Sequence, residues 1–164
     1  MMGFLQQLES SGFSQWVKQS GSLWAFPGIL LMHTYGMAVL VGVIAGIDLR
    51  ILGMMPAVPL APLKKFLPLV WVAFWVNAVT GTMLLVADAT SKMRNLDFGI
   101  KMAFIVLAVI TQLVIQKRVF GDPEIDARPF SSNAKRLAVL SLVFWLGAIT
   151  AGRLLAYVGN PGGL

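Results

Sequence analysis

The chain contains no cysteine and a single histidine, His33. The absence of cysteine excludes a disulfide framework, thiolate chemistry and any metal site with cysteine ligands. One imidazole excludes a histidine-rich metal centre and a haem held by two histidines of one chain. Charged residues are also scarce, at 12% of the 164 residues, which is too few to cover the surface of a soluble domain of this size.

Apolar residues instead make up 57% of the chain, and the mean hydropathy is +0.78. A helix needs about 20 apolar residues to cross the hydrocarbon core of a bilayer, and the chain has four such runs. They cover residues 23–47, 66–87, 98–116 and 137–158, with Asn95 as a predicted helix N-cap before the third. The sequence therefore predicts an all-α membrane protein, in which residues 23–164 form an up-down-up-down bundle of four transmembrane helices.

Residues 1–22 precede the first apolar run and mix apolar with polar side chains. Leu5, Leu8 and Trp16 recur at roughly helical spacing. This pattern predicts a short amphipathic helix that lies in the membrane interface, with Trp16 at the level of the lipid headgroups. A hinge at residues 20–22 leads into the first span.

The distribution of Lys and Arg predicts the orientation of the spans. The first and third loops carry Arg50, Lys64, Lys65, Lys117, Arg118, Arg128, Lys135 and Arg136, against Lys18, Lys92, Arg94, Lys101 and Arg153 on the other side. Under the positive-inside rule, the richer loops face the cytoplasm and both termini lie outside. The net charge of +6 is thus explained by membrane orientation, and no nucleic-acid partner is expected.

Polar side chains of all four spans lie towards the outer half of the predicted bundle. The candidate site residues are His33, Met37, Asn77, Thr80, Lys101, Arg153 and Tyr157. Ionisable groups inside a membrane are costly and usually mark a site or an internal pair. One interpretation is a polar pocket with His33 at its floor and Lys101 and Arg153 as a cationic rim. In the other, both cations extend to the headgroups and His33 hydrogen-bonds a neighbouring helix.

Three ligands suit such a pocket. A b-type haem would take His33 as an axial ligand, and the second would be Met37, Met83, a group from another subunit or nothing; the cations would lie near its propionates. A Cu(I) ion would take His33 and Met37, with Met83 as a candidate third ligand. A quinone headgroup would bond to His33 and to Asn77 or Thr80. His33 is therefore the one candidate metal ligand, and a purely structural histidine is the alternative to all three.

Two further patterns occur in the first span. Ala38, Gly42 and Gly46 recur every four residues, and such small residues let membrane helices approach closely, so we expect them to pack within the bundle. Asp48 and Arg50 follow at the inner end of the span. We expect these two to form an ion pair or a helix cap there.

Four pieces of sequence occur in a fixed order along the chain. They are Trp24-x-Phe26-Pro27 with His33-x-x-Gly36, Asp48-Leu49-Arg50-Ile51-Leu52-Gly53, Asn95-Leu96-Asp97-Phe98-x-x-Lys101-Met102, and Ser141-Leu142-x-x-Trp145 with Gly152-Arg153-Leu154-Leu155-Ala156-Tyr157. Together they resemble a family of uncharacterised bacterial four-span inner-membrane proteins, classed as a domain of unknown function. A looser similarity links the chain to copper-resistance-D and cytochrome b561-like bundles. The resemblance implies a four-helix fold in the bacterial inner membrane and no established activity.

The sequence shows no nucleophile–base pair, carboxylate dyad or phosphate-binding glycine loop, so we do not expect an enzyme. The first hypothesis is a non-enzymatic binding or redox subunit that holds haem or a quinone in the outer half of the bundle. The alternatives are a small-solute or metal-ion permease acting as an oligomer, and a ligand-free scaffold subunit. Expected partners are the lipid bilayer, further copies of the chain or other membrane subunits. The apparent lack of a buried carboxylate for ion coupling argues against the permease.

Overall fold

A computed structural model describes residues 2–127 and 129–158, without the side chains of Met2, Arg94 and residues 156–158. The helices are α1 (Met2–Glu9), α2 (Gly12–Gln19), α3 (Phe26–Leu52), α4 (Leu67–Ala87), α5 (Ala89–Arg94), α6 (Leu96–Arg118) and α7 (Ser132–Val158), with a 3₁₀ helix at Ala61–Phe66. Four of them, α3, α4 with its 3₁₀ turn, α6 and α7, are long and apolar enough to cross a membrane. The predicted all-α four-span fold is confirmed.

The first span extends further along the chain than the sequence predicts. Pro27 lies in the first turn of α3, where its missing N–H removes no helical bond. Gly53 ends the helix in the left-handed conformation, with φ of 90°, and donates its N–H to the Arg50 carbonyl at 3.0 Å. Asp48 and Arg50 therefore lie inside the last turns of α3 and not beyond its end.

The amphipathic N-terminal segment forms two short helices, where the sequence predicts one. Ser11 separates them and caps α2, since its Oγ accepts the Ser14 N–H at 3.3 Å. The buried Ser14 hydroxyl then donates to the Ala87 carbonyl at the end of α4, at 3.2 Å. Val17 packs with Ile29 and Ala87 in a small apolar cluster. The segment is thus docked on the ends of α3 and α4, and its placement in a membrane interface stays a prediction.

The long helices are arranged around α3 and α7. α3 packs against α4 and α7, and α6 packs chiefly against α7. One apolar cluster fills the middle of the bundle and is built from Leu40, Ile44, Val70, Ala73, Ala108 and Trp145. A second lies at the end where α3 stops, and contains Ile47, Ile51, Leu60, Ile115, Val119, Phe120, Ile125, Ala134 and Ala138. We call this the Asp48 end of the bundle and the opposite end, where α3 begins, the His33 end.

The small-residue stripe of α3 does not pack within the bundle. Ala38 is exposed, and a Cβ added at Gly42 or Gly46 would meet no described atom within 4 Å. The expectation that these residues hold the bundle together is therefore wrong. The reason is the rotation of α3, which directs Leu40 and Ile44 into the core and turns the stripe outward.

Close helix packing occurs instead at Gly147 of α7. A Cβ at this position would lie 2.8 Å from two atoms of the Phe104 ring on α6. The ring therefore lies directly over the backbone of α7. Phe104 also stacks at a tilt on Phe144, with 6.4 Å between the ring centroids. These contacts fix the α6–α7 hairpin.

The loops at the Asp48 end are joined by Asp126. Its two carboxylate oxygens accept the N–H groups of Leu60 and Ala61, at 2.6 and 2.8 Å, at the start of the 3₁₀ helix. Arg50 lies 3.9 Å from the same carboxylate, donates to the Val58 carbonyl and stacks on a nearby phenylalanine ring. The contacts of the Arg50 guanidinium are thus with loop residues and not with Asp48, so the predicted Asp48–Arg50 ion pair is wrong.

Candidate functional site

The single histidine is fixed by a hydrogen bond between helices. His33 Nδ1 of α3 lies 2.9 Å from Thr80 Oγ1 of α4. The Thr80 hydroxyl also lies 2.6 Å from the Val76 carbonyl, to which it donates its only hydrogen. Thr80 must then accept from the Nδ1–H of His33, so the hydrogen-bond network assigns Nε2 as the unprotonated nitrogen of the neutral ring. The backbone of Asn77 is a further hydrogen-bond partner of the ring.

Two glycines let α3 and α4 approach closely around this bond. A Cβ at Gly81 of α4 would lie 3.1 Å from His33 Cε1. A Cβ at Gly36 of α3 would lie 2.7 Å from Asn77 Nδ2 of α4. Each helix thus offers a glycine where the other places a polar side chain. This reciprocal packing is the small-residue contact that the sequence reasoning expected elsewhere on α3.

A cavity of about 260 Å³ lies between α3, α4, α6 and α7. Its polar lining comes from His33, Asn77, Thr82 and Lys101. The remaining lining is apolar and includes Met37, Leu40, Phe74, Leu85, Phe98, Met102, Ile105, Trp145 and Ile149. Thr82 already donates its hydroxyl to the Ala78 carbonyl at 2.8 Å, as threonines in membrane helices commonly do. The cavity is therefore an apolar space with a few polar groups, which is typical of small-molecule sites.

The cavity also separates α4 from α6. Towards the Asp48 end these helices are linked by a hydrogen bond from Trp71 Nε1 to Gln116 Oε1, at 3.4 Å. Nearer the His33 end, side chains of both helices line the cavity, and Thr82 and Met102 are exposed as well. The cavity is thus open between these two helices and not enclosed on this side.

The structure brings four of the seven predicted side chains together. His33 and Met37 of α3, Asn77 of α4 and Lys101 of α6 all line the one cavity. These four residues lie at the same height along the bundle axis because neighbouring spans run in opposite directions. The first residues of α3 and α6 therefore lie at the same end of the bundle as the last residues of α4. The role of these side chains as ligand contacts stays a prediction.

The other three predicted residues are placed differently. Thr80 lies behind His33 and bonds to it, without lining the cavity. Arg153 is exposed on α7, and α7 lines the cavity through Trp145, Ala148 and Ile149 instead. The side chain of Tyr157 lies outside the described residues. The cationic rim therefore contains Lys101 without Arg153.

Sequence reasoning missed Lys92, which it treated as a loop residue. The short helix α5 turns back at the end of α4, so that Lys92 Nζ donates to the Leu84 carbonyl at 2.8 Å. Burial lowers the pKa of Lys92, the Asp88 carboxylate partly offsets this, and the positive charge of Lys18 lowers the pKa further. Lys92 is close enough to Lys101 for the two charges to repel. Nothing in the sequence predicts this placement, because it depends on the turn between α4 and α5.

The residues on the cavity do not fit a haem. Drug-sized ligands typically occupy cavities of about 300–1,000 Å³, and a cavity of about 260 Å³ is small for a macrocycle larger than those ligands. Met37 lies one turn after His33 on the same helix, so the two cannot ligate iron from opposite faces. Met83 packs near Val17 and Ile29 and does not line the cavity. Because Met83 lies away from the cavity, only two of the three proposed Cu(I) ligands, His33 and Met37, line it.

A buried carboxyl group lies towards the other end of α3. Asp48 is fully buried, and neither of its oxygens makes a hydrogen bond with a described residue. The equally buried Ser141 hydroxyl of α7 interacts with this carboxyl, without standard hydrogen-bond geometry. The expectation that the bundle lacks a buried carboxylate is therefore wrong. Asp48 was misplaced because α3 was predicted to end at residue 47.

Comparison with known proteins does not add to this site. No family model matches the chain, and no curated protein or solved structure resembles it at a significant level.

Proposed function

We propose that this integral membrane protein is a non-enzymatic binding or redox subunit that holds a quinone-type ring in the cavity beside His33. One observation carries the proposal: His33 and Lys101 line the same cavity, and most of its remaining lining is apolar. Because Nδ1 is bonded to Thr80, the Nε2 atom of His33 is an acceptor for the hydroxyl of a reduced ring. The Lys101 ammonium is a donor to a ring oxygen, and Phe74 and Trp145 offer apolar contact to the ring itself.

The size of the cavity supports a ring of one or two cycles. Its volume of about 260 Å³ lies just below the range that drug-sized ligands occupy. Its opening between α4 and α6 supports a ligand dissolved in the bilayer. A quinone with its tail in lipid meets both conditions, since only its head has to enter the bundle.

Tryptophan fluorescence in lipid nanodiscs tests the proposal, because Trp145 lines the cavity. Titration with a short-chain quinone should quench the emission with a saturable curve. Trp145→Phe should remove most of that change, and His33→Ala should raise the Kd at least tenfold. Tyr35→Ala is the matched control, since Tyr35 is exposed on the same helix. Absence of saturable binding, or the same Kd after His33→Ala, would contradict the proposal.

We place the protein in the bacterial inner membrane with both termini in the periplasm. The support is the excess of Lys and Arg in the loops at the Asp48 end, together with the resemblance of the sequence to bacterial four-span proteins. An alkaline phosphatase fused after residue 158 should be active, because this enzyme folds only outside the cytoplasm. A fusion within residues 53–60 should be inactive.

Asp48 favours a second function, that of an ion-coupled permease. A fully buried carboxyl group in a transmembrane helix is a common feature of ion pathways. Flux of a pH indicator or of radiolabelled sodium in proteoliposomes tests this function. Asp48→Asn should abolish such flux, and Glu124→Gln, at an exposed loop residue, should leave it unchanged. If proteoliposomes with the wild-type protein show no flux above that of protein-free liposomes, this would argue against transport.

A further inference from the structure

Lys101 is a half-buried cation without a partner. It lies on the wall of the cavity, and no described residue forms a hydrogen bond or an ion pair with it. Its side chain lies along α7, since a Cβ at Gly152 would be 3.5 Å from both Cε and Nζ. The absence of a side chain at Gly152 thus leaves room for the ammonium group inside the bundle, beside the cavity.

The charged groups around Lys101 do not balance it. On α5, Lys92 adds a second positive charge, and on α3 the neutral His33 ring lies within the field of both lysines. Asp88, at the end of α4, acts on Lys92, but no described carboxylate acts on Lys101. Arg153 on α7 is exposed and carries the same sign of charge. Asp97 precedes Lys101 by one turn of α6, but the two form no ion pair among the described residues. The positive charge of Lys101 is therefore unpaired at the His33 end of the cavity.

An unpaired ammonium group in an apolar setting is costly, and a bound anion offsets that cost. A small inorganic anion would not use the apolar walls that form most of the cavity. A ligand that matches the whole site combines one negative oxygen for Lys101, a flat apolar body for Phe74 and Trp145, and enough lipid solubility to enter between α4 and α6.

We propose that the cavity selects a ring compound with a single negative charge, such as a quinone with an acidic ring hydroxyl, and that Lys101 pairs with the anionic oxygen. This inference rests on the proposed function and names the charge of its ligand. Lys92 contributes to the selection at longer range, since its ammonium already donates to the Leu84 carbonyl. The cavity thus distinguishes an anionic ring from a neutral one by charge, because both rings make the same apolar contacts.

A matched pair of probes tests the inference: 2-hydroxy-1,4-naphthoquinone, which is an anion at neutral pH, and its neutral 2-methoxy analogue. Binding is measured by Trp145 quenching in nanodiscs of phosphatidylcholine, which has no net charge to compete. The absence of cysteine removes the usual side reaction of such quinones with thiols. We expect the anionic probe to bind at least tenfold more tightly, and Lys101→Gln to abolish this preference. Lys65→Gln, at an exposed residue of the 3₁₀ helix, should leave it unchanged.

Two other outcomes separate the two proposals. If both probes bind with the same Kd and lose affinity in His33→Ala, the quinone site stands and the inference about charge is overturned. If the preference for the anion survives in Lys101→Gln, the quinone site also stands, and the inference that Lys101 pairs with the anion is overturned. If neither probe binds, the proposed function fails, and the inference fails with it.

Discussion

The imidazole of His33 lies directly against Gly81, so that a Cβ on the glycine would be 3.1 Å from His33 Cε1. The same ring is held by Thr80, the residue before Gly81 in the chain, through a bond of 2.9 Å. Two consecutive residues of α4 thus fix both the position and the hydrogen bonding of the only imidazole. The orientation of the His33 ring therefore depends on the packing of α3 against α4.

Gly81→Ala should therefore weaken ligand binding without unfolding the protein. The added methyl group is a few tenths of an ångström too close to the ring, which must shift while Thr80 still holds it. We expect the Kd for a quinone probe to rise several-fold, with a loss of stability of about 1 kcal/mol from overpacking. Gly42→Ala is the control, since a Cβ there meets nothing within 4 Å. Equal binding by Gly81→Ala and the wild type would show that His33 is not held in this way.

Gly147→Ala should destabilise the α6–α7 hairpin. Its methyl group would lie 2.8 Å from the Phe104 ring, a distance that forces the ring or the helix to move. Overpacking of this kind typically costs about 1–3 kcal/mol, which should lower the Tm measured in detergent. Gly99→Ala, on an open face of α6, should not lower it.

The companion change Phe104→Leu identifies the cause. If the clash with the ring is responsible, Gly147→Ala should cost much less in the Phe104→Leu background than in the wild type. Additive effects of the two substitutions would contradict this explanation.

Asp126 should make the stability of the loops at the Asp48 end depend on pH. The N–H group of Leu60, followed by that of Ala61 and by the charge of Arg50, holds the pKa of this carboxyl below its ordinary value of 3.8. A lowered pKa in the folded state stabilises the fold at neutral pH, and this contribution is lost as the pH falls below 3.8 and through the folded pKa. Asp126→Ala should remove both hydrogen bonds and cost about 0.5–2 kcal/mol of stability at neutral pH, as for a lost helix cap.

Tm measured between pH 7 and pH 3 checks this prediction. The difference in Tm between wild type and Asp126→Ala should shrink as the pH falls. Glu124→Gln, two residues away and exposed, should show the wild-type profile. A constant difference in Tm would mean that the carboxylate charge is not the stabilising feature.

Glu9 should hold the N-terminal helices on the bundle. Its carboxylate lies 2.8 Å from Lys18 Nζ and accepts the Thr90 N–H at 3.3 Å, and these bonds lower its pKa to about 2. The carboxylate thus stays charged, and its contribution is present above the ordinary value of 4.5 and lost only as the pH falls towards 2. Glu9→Gln should increase the amide hydrogen exchange of residues 2–19. Gln6→Ala, at an exposed residue of α1, should not.

The sequence by itself determined the number, approximate length and alternation of the spans. Backbone polar groups must be satisfied within each segment in lipid, so four apolar runs of sufficient length can only be four helices. Alternation then places His33, Asn77 and Lys101 at one end of the bundle, and this level was predicted from the residues alone. Asn95 was also predicted correctly as an N-cap, since it accepts the Asp97 N–H at 2.8 Å.

Only the tertiary structure decided which way each span is turned about its axis. A helix that is apolar all round has no polar face to fix its rotation, so packing alone directs Arg153 outward and Lys101 inward. The same rotation exposes Gly42 and buries Asp48. The turn between α4 and α5, which brings Lys92 beside Lys101, depends on contacts between residues far apart in the chain. The spans follow from the solubility of the chain in lipid, whereas the site follows from contacts between the spans.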